Sequence, residues 1–265
     1  MVGKMLVWGL LVGLAAGILG FGVSKTLGEP QVDKGIAFES YVESDVHHGE
    51  HEEELVSRSL QNSAGLGTGA IIFGVAMGGI FAIAFAISYG RIGTLTARGT
   101  AAVLGLLAIV ALYMVPNLKY PANPPSIGES DTIGHRTALY LGIMVISVAA
   151  IVCAVAIRQR LRLRIGDWNA TIVCGIGYIV LMGVVYVIMP GVNEVPQQAI
   201  KGVVGAIAGA HTTFPPTVLW RFRVASLAIQ AVVWGTIAIG FGYVAERQLA
   251  RAAVPTPANF ADQQG

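Results

Sequence analysis

The chain has 265 residues, of which 54% are apolar and 12% charged, about half of the roughly 25% charged content usual for a soluble domain. This excludes an ordinary soluble globular protein, and a net charge of +2 from 17 basic and 15 acidic residues offers no excess that would point to nucleic acid as a partner. The two cysteines, Cys153 and Cys174, lie inside apolar runs, which excludes a disulfide-stapled secreted scaffold.

Six stretches are apolar and free of Asp, Glu, Lys and Arg: 5–23, 66–89, 99–116, 137–157, 169–190 and 224–245. Each matches the ~17–25 residues that cross a bilayer as a helix. They are too long for barrel strands, and hydrocarbon offers backbone groups no water partner, so helices are the expected spanning elements. The predicted fold is all-α: a polytopic membrane domain over 1–250 with six spans, an outer acidic and His-rich loop at 24–65 and a flexible tail at 251–265.

The first stretch exceeds the ~7–15 apolar residues of a signal-peptide core and has no clear small-x-small cleavage site before Ser24-Lys25, so it is expected to be a retained span. It carries Gly9, Gly13 and Gly17 at four-residue spacing, and the second span carries Ala70, Gly74, Gly78 and Ala82 likewise. Such stripes predict close helix packing in lipid rather than a permeation path.

Between these spans lies Asp45-Val46-His47-His48-Gly49-Glu50-His51-Glu52-Glu53-Glu54. His47 and His51 are four apart and His48 and His51 three apart, so one helical turn would align two imidazoles. With Glu50, Glu52 and Glu54 they form a candidate ligand set, and imidazole with carboxylate suits borderline divalent ions such as cobalt, nickel and zinc. The competing reading is a solvated polar loop, and Gly49 weakens the helical one.

After the third span, Pro116-Asn117-Leu118-Lys119-Tyr120-Pro121-Ala122-Asn123-Pro124-Pro125 holds four prolines in ten residues. It is a stiff segment, and Pro190 to Pro196 does the same after the fifth span. Such loops either shape a vestibule or merely end helices; on the vestibule reading its polar lining is Asn117, Lys119, Tyr120 and Asn123. Cys153 and Cys174, on neighbouring spans, allow a soft metal site but read better as small core residues. Within the spans the most polar deep residue is Gln230, with no ionisable side chain to serve a proton-driven pump. A phosphate-cradling loop is missing, as is any catalytic arrangement of nucleophile, base and orienter, so no enzyme activity is expected.

The run Arg158, Arg160, Arg162 and Arg164 between spans four and five orients the bundle. Placing both termini in the cytoplasm puts 9 basic residues in 44 inner positions and 8 in 95 outer ones. All five histidines, His47, His48, His51, His135 and His211, then fall outside, with twelve of the fifteen acidic residues.

The sequence resembles the CbtA family, predicted cobalt transporter subunits of bacteria. The resemblance rests on Gly28-Glu29-Pro30-Gln31-Val32-Asp33-Lys34-Gly35-Ile36-Ala37-Phe38-Glu39, on Glu53-Glu54-Leu55-Val56-Ser57-Arg58, and on Leu118-Lys119-Tyr120-Pro121-Ala122-Asn123-Pro124-Pro125. It continues in Thr132-Ile133-Gly134-His135-Arg136-Thr137-Ala138-Leu139-Tyr140, Val192-Asn193-Glu194-Val195-Pro196 and Leu219-Trp220-Arg221-Phe222-Arg223. It implies an integral plasma-membrane subunit that works with a small single-span His-rich partner (CbtB-like) and is linked to cobalamin supply. Cobalt is then transported cargo, and no covalently bound cofactor is expected. Residues 197–213 look like an insertion, and His211 lies within it; the family motif does not require histidine at His135. Both are therefore weaker ligand candidates. The expected function is divalent-metal uptake, with capture by the outer His/Glu stretch and passage to a vestibule under the Lys119 to Pro125 loop. The alternative is a membrane metal-binding, sensing or scaffold subunit that does not transport.

Overall fold

The computed structural model describes residues 2–46, 57–125, 127, 132–192 and 214–253, with backbone alone at 2, 39–46 and 253. Helix α1 (Val2–Val23) passes through a π-helical turn, Ser24–Gly28, into α2 (Glu29–Val46). The chain resumes with α3 (Arg58–Leu60), a second π-turn (Gln61–Gly65) and α4 (Leu66–Ser88). Then come α5 (Ala97–Ile109), a third π-turn (Val110–Met114), α6 (Val115–Lys119), α7 (Ile133–Ile165), α8 (Asp167–Ile188) and α9 (Pro216–Ala253). Among the described residues six helical runs are long and apolar enough to cross a bilayer. The all-α, six-span fold expected from the apolar runs is what the chain adopts.

The runs are longer than the charge-free stretches. Helix α9 has 38 residues, about 57 Å at 1.5 Å per residue, against a hydrocarbon core of about 30 Å. Charges end a hydropathy scan, but they do not end a helix whose backbone ladder continues into the headgroup region. The segment expected as an outer loop from 24 therefore starts as helix and continues to Val46.

Two π-turns stand just before a proline. Pro30 has no N–H for the Thr26 carbonyl, and the Glu29 N–H bonds back to Ser24 O. Pro116 likewise follows a turn in which the Val115 N–H reaches Val110 O. A missing donor is accommodated by widening the ladder one residue upstream. In the second π-turn the Ser63 hydroxyl donates to Ser59 O at 2.5 Å, a back-bond of the kind that bends helices.

The small-residue stripes of α1 and α4 face each other antiparallel. A Cβ built on Gly9 would lie 2.6 Å from the Ala82 Cβ, one on Gly17 2.7 Å from Ala70 O, and one on Gly74 2.6 Å from the Gly17 Cα. The helices touch backbone to backbone, which maximises dispersion contact where lipid supplies no hydrophobic drive. Helix α9 closes this group from the side. Phe241 packs edge-on against Phe81 and Phe85 at centroid distances of 5.6 and 5.1 Å, beside buried Met5, Trp234 and Ile237. Helices α7 and α8 pair around Ile143, Ala150 and Met182, with Ser147 and Tyr178 hydroxyls 2.7 Å apart. Their outer faces are bare: Val187 is 87% exposed and Ile188 75%, as lipid-facing side chains are.

The two ends of the bundle differ. At the terminal end, Arg98 pairs with Glu246, Gln159 Nε2 donates to Arg91 O at 2.8 Å, and Arg158 holds Asp167 at 3.2 Å across the Gly166 break, where φ is +81°. At the loop end, Phe38 stacks edge-on against Phe214 at 5.2 Å, tying α2 to the start of α9.

Candidate functional site at the loop end

The stretch expected to hold metal, His47, His48, Glu50, His51, Glu52 and Glu54, lies outside the described residues, as does His211. His135 is described: it is exposed on the first turn of α7, at the loop end. Among the described residues, no three His, Cys, Asp or Glu side chains gather as a metal cluster. The cysteines are free thiols, Cys153 exposed and Cys174 half-buried, so Cys153 does not take the buried core position expected of it.

The proline-rich loop is tied down on every side. Asn117 Oδ1 accepts from the Ala122 N–H at 3.0 Å, closing the turn. Lys119 Nζ donates to Tyr186 O at 2.8 Å and the Tyr120 hydroxyl to Pro190 O at 2.8 Å, fastening the loop to the end of α8. Partial burial pushes the Tyr120 phenol above its ordinary pKa. From α9, Arg223 donates through Nε to Ala122 O at 3.2 Å and through a terminal nitrogen to Asn123 Oδ1 at 3.0 Å. Charge-assisted bonds of this kind are the strong ones.

Beneath the loop is a cavity of about 330 Å³ lined by Tyr120, Asn123, Arg136, Tyr140 and Arg223, among others. Of the four residues expected at a vestibule, Tyr120 and Asn123 line this space, while Asn117 and Lys119 are engaged in holding the loop. Arg136 and Arg223 were not among the expected site residues. They come from segments distant in sequence, and no local pattern signals their convergence. Two guanidinium groups make this cavity unattractive to a bare cation.

A second cavity, about 490 Å³, opens between α1, α4 and α9, lined by Gly20, Ser24, Glu29, Gln61, Phe73, Gln230 and Val233, among others. Glu29 is only 9% exposed. Its carboxylate accepts from Arg58 at 2.7 Å, and the same guanidinium reaches Asp33 at 3.0 Å. Lys25, beside Ser24 in sequence, turns outward to the Asn62 carbonyl at 2.9 Å. The ion pair joins two of the blocks that carry the family resemblance, Gly28 to Glu39 and Glu53 to Arg58; the Arg223 to Asn123 bond joins two others. A hydropathy scan does not find Glu29, because it assigns this residue to a loop.

No curated protein and no solved structure matches the chain. A family model does, over residues 2–246, and its description is "Probable cobalt transporter subunit". With that match running through all six spans and both loop-end cavities, the chain belongs to the CbtA family.

Proposed function

We propose that the protein is the membrane subunit of a divalent-metal uptake system, with cobalt as its cargo, feeding cobalamin supply. The observation that carries this reading is the family match across residues 2–246. In it, His47, His48 and His51 with Glu50, Glu52 and Glu54 capture the ion outside the cell, because imidazole with carboxylate selects borderline divalent ions over magnesium and calcium. His135, exposed at the same end, and His211 are secondary contacts.

The captured ion enters the bundle at the loop end. The roofed vestibule of Tyr120 and Asn123 forms its wall, and the positive lining of Arg136 and Arg223 directs a cation away from that cavity and toward the one bearing Glu29. Both termini lie in the cytoplasm, which places the Arg158 to Arg164 run against the inner leaflet. The protein works with a small single-span His-rich subunit, in keeping with its family's description as a transporter subunit. It moves an ion and catalyses no bond change.

Cobalt accumulation in cells lacking other cobalt importers tests the reading. Expression of the chain with its partner is expected to raise intracellular cobalt well above the empty-vector level. Cobalt bound to membranes with none accumulated would replace uptake with sensing, storage or scaffolding.

A further inference from the structure

The cavity between α1, α4 and α9 holds more polarity than packing requires. Ser24 is nine-tenths buried and lines it, and Gln230 projects into it from the interior of a membrane-spanning helix. The Ser24 hydroxyl and the Gln230 amide thus share this space with the Glu29 carboxylate. Polar residues at such depth in a membrane span mark ion or substrate paths. Two π-turns, Ser24–Gly28 and Gln61–Gly65, border the same space, and π-turns within α-helices recur at functional sites.

Glu29 supplies the negative charge. Its partner Arg58 is 27% exposed and also bound to Asp33, which is 54% exposed. The guanidinium therefore has somewhere to go if it leaves Glu29. The cavity of about 490 Å³ accommodates an ion with six waters, which occupy roughly 180 Å³ at about 30 Å³ each. From Glu29 to Gly20 it descends nine residues of helix, about 13 Å, ending among Phe73, Ile229 and Val233.

Resting on the uptake reading above, we propose that this cavity is a transport site for a partly hydrated divalent cation, bound by the Glu29 carboxylate with Ser24, Gln61 and Gln230 oxygens, and that Arg58 is a tethered cation it displaces. The arriving ion takes the Glu29 carboxylate and Arg58 shifts to Asp33. Ion release lets Arg58 return, so the site empties without a proton moving. An all-oxygen set binds loosely, and a conduction step needs binding weak enough to leave. Selection for cobalt then belongs to the histidine stretch and passage to this cavity.

Isothermal titration of cobalt(II) chloride into the purified full-length chain carrying His47→Ala, His48→Ala and His51→Ala isolates the cavity. In that background Glu29→Gln is expected to abolish the remaining binding, and Arg58→Gln to tighten it several-fold by removing the competitor. A structural ion pair would suffer equally from both changes, so equal weakening, or unchanged affinity in Glu29→Gln, overturns the proposal. Gln230→Leu leaves the ion pair intact and suits a lipid-embedded helix; it is expected to lower cobalt uptake by cells at least several-fold at unchanged protein level, and wild-type uptake by this variant also overturns the site. If the unmodified chain with its partner accumulates no cobalt, the uptake reading fails and this one with it. Normal uptake by both the unmodified chain and Glu29→Gln removes the cavity site alone.

Discussion

Glu29 and Arg58 stand 29 positions apart in sequence, on either side of the His/Glu stretch, and meet at 2.7 Å. The pair fixes the base of that stretch to the helix bundle: the chain leaves the membrane through α2 and returns to the described structure at Ser57, beside the carboxylate it left. A pair this sheltered is also sensitive to loss of one partner, since the charge left behind is poorly solvated.

The histidine stretch should govern affinity rather than capacity. Replacing His47, His48 and His51 together by alanine is expected to raise the cobalt concentration for half-maximal uptake at least tenfold while leaving the rate at saturating cobalt nearly unchanged. Radiocobalt uptake across a concentration series measures both. A fall in saturating rate with unchanged half-saturation would mean that the histidines act in translocation.

The glycine contact between α1 and α4 should dominate folding. Gly13→Leu or Gly74→Val forces side-chain atoms into facing backbone, and overpacking of this kind costs about 1–3 kcal/mol or more. A clear loss of thermal stability in detergent is expected, followed by intrinsic fluorescence. Gly177→Ala is the control, because a Cβ there meets nothing within 4 Å, and it should melt with the parent.

Arg223 is expected to hold the proline-rich loop in place. Arg223→Ala removes its bonds to Ala122 O and Asn123 Oδ1, worth roughly 2 kcal/mol for a partly buried charged donor. Faster hydrogen exchange over 117–125, with the terminal end of the bundle unchanged, is the expected result. Arg223→Lys should restore only part of the protection, because an ammonium cannot span both acceptors as the planar guanidinium does.

Orientation is testable without metal. With Cys153 and Cys174 replaced, a single cysteine at Asn123 is expected to react with a membrane-impermeant maleimide in intact cells, and one at Arg164 only after lysis. The reverse pattern would invert the topology and place the histidines in the cytoplasm.

The apolar spans were legible because absence of charge over some twenty residues has one economical explanation in a helix-forming chain. Their ends were not, since Glu29 and Arg58 interrupt hydropathy without interrupting the helix. The stripes on α1 and α4 announced close packing, but which stripe meets which is a long-range fact that periodicity does not carry. The same limit applies to the loop-end cavities. Tyr120 and Asn123 could be named from a stiff local segment, whereas Arg136 and Arg223 reach that cavity only once α7 and α9 are packed. Gln230 was visible as the odd polar residue of its span, and the fold adds that it faces Ser24 and Glu29 across a shared cavity.

The most direct test of the account is cobalt accumulation by cells that lack other importers, comparing empty vector with the chain co-expressed with its small partner. Intracellular cobalt, separated from the membrane fraction, is expected several-fold above the vector control. Cobalt confined to the membrane fraction at the same expression level would contradict it.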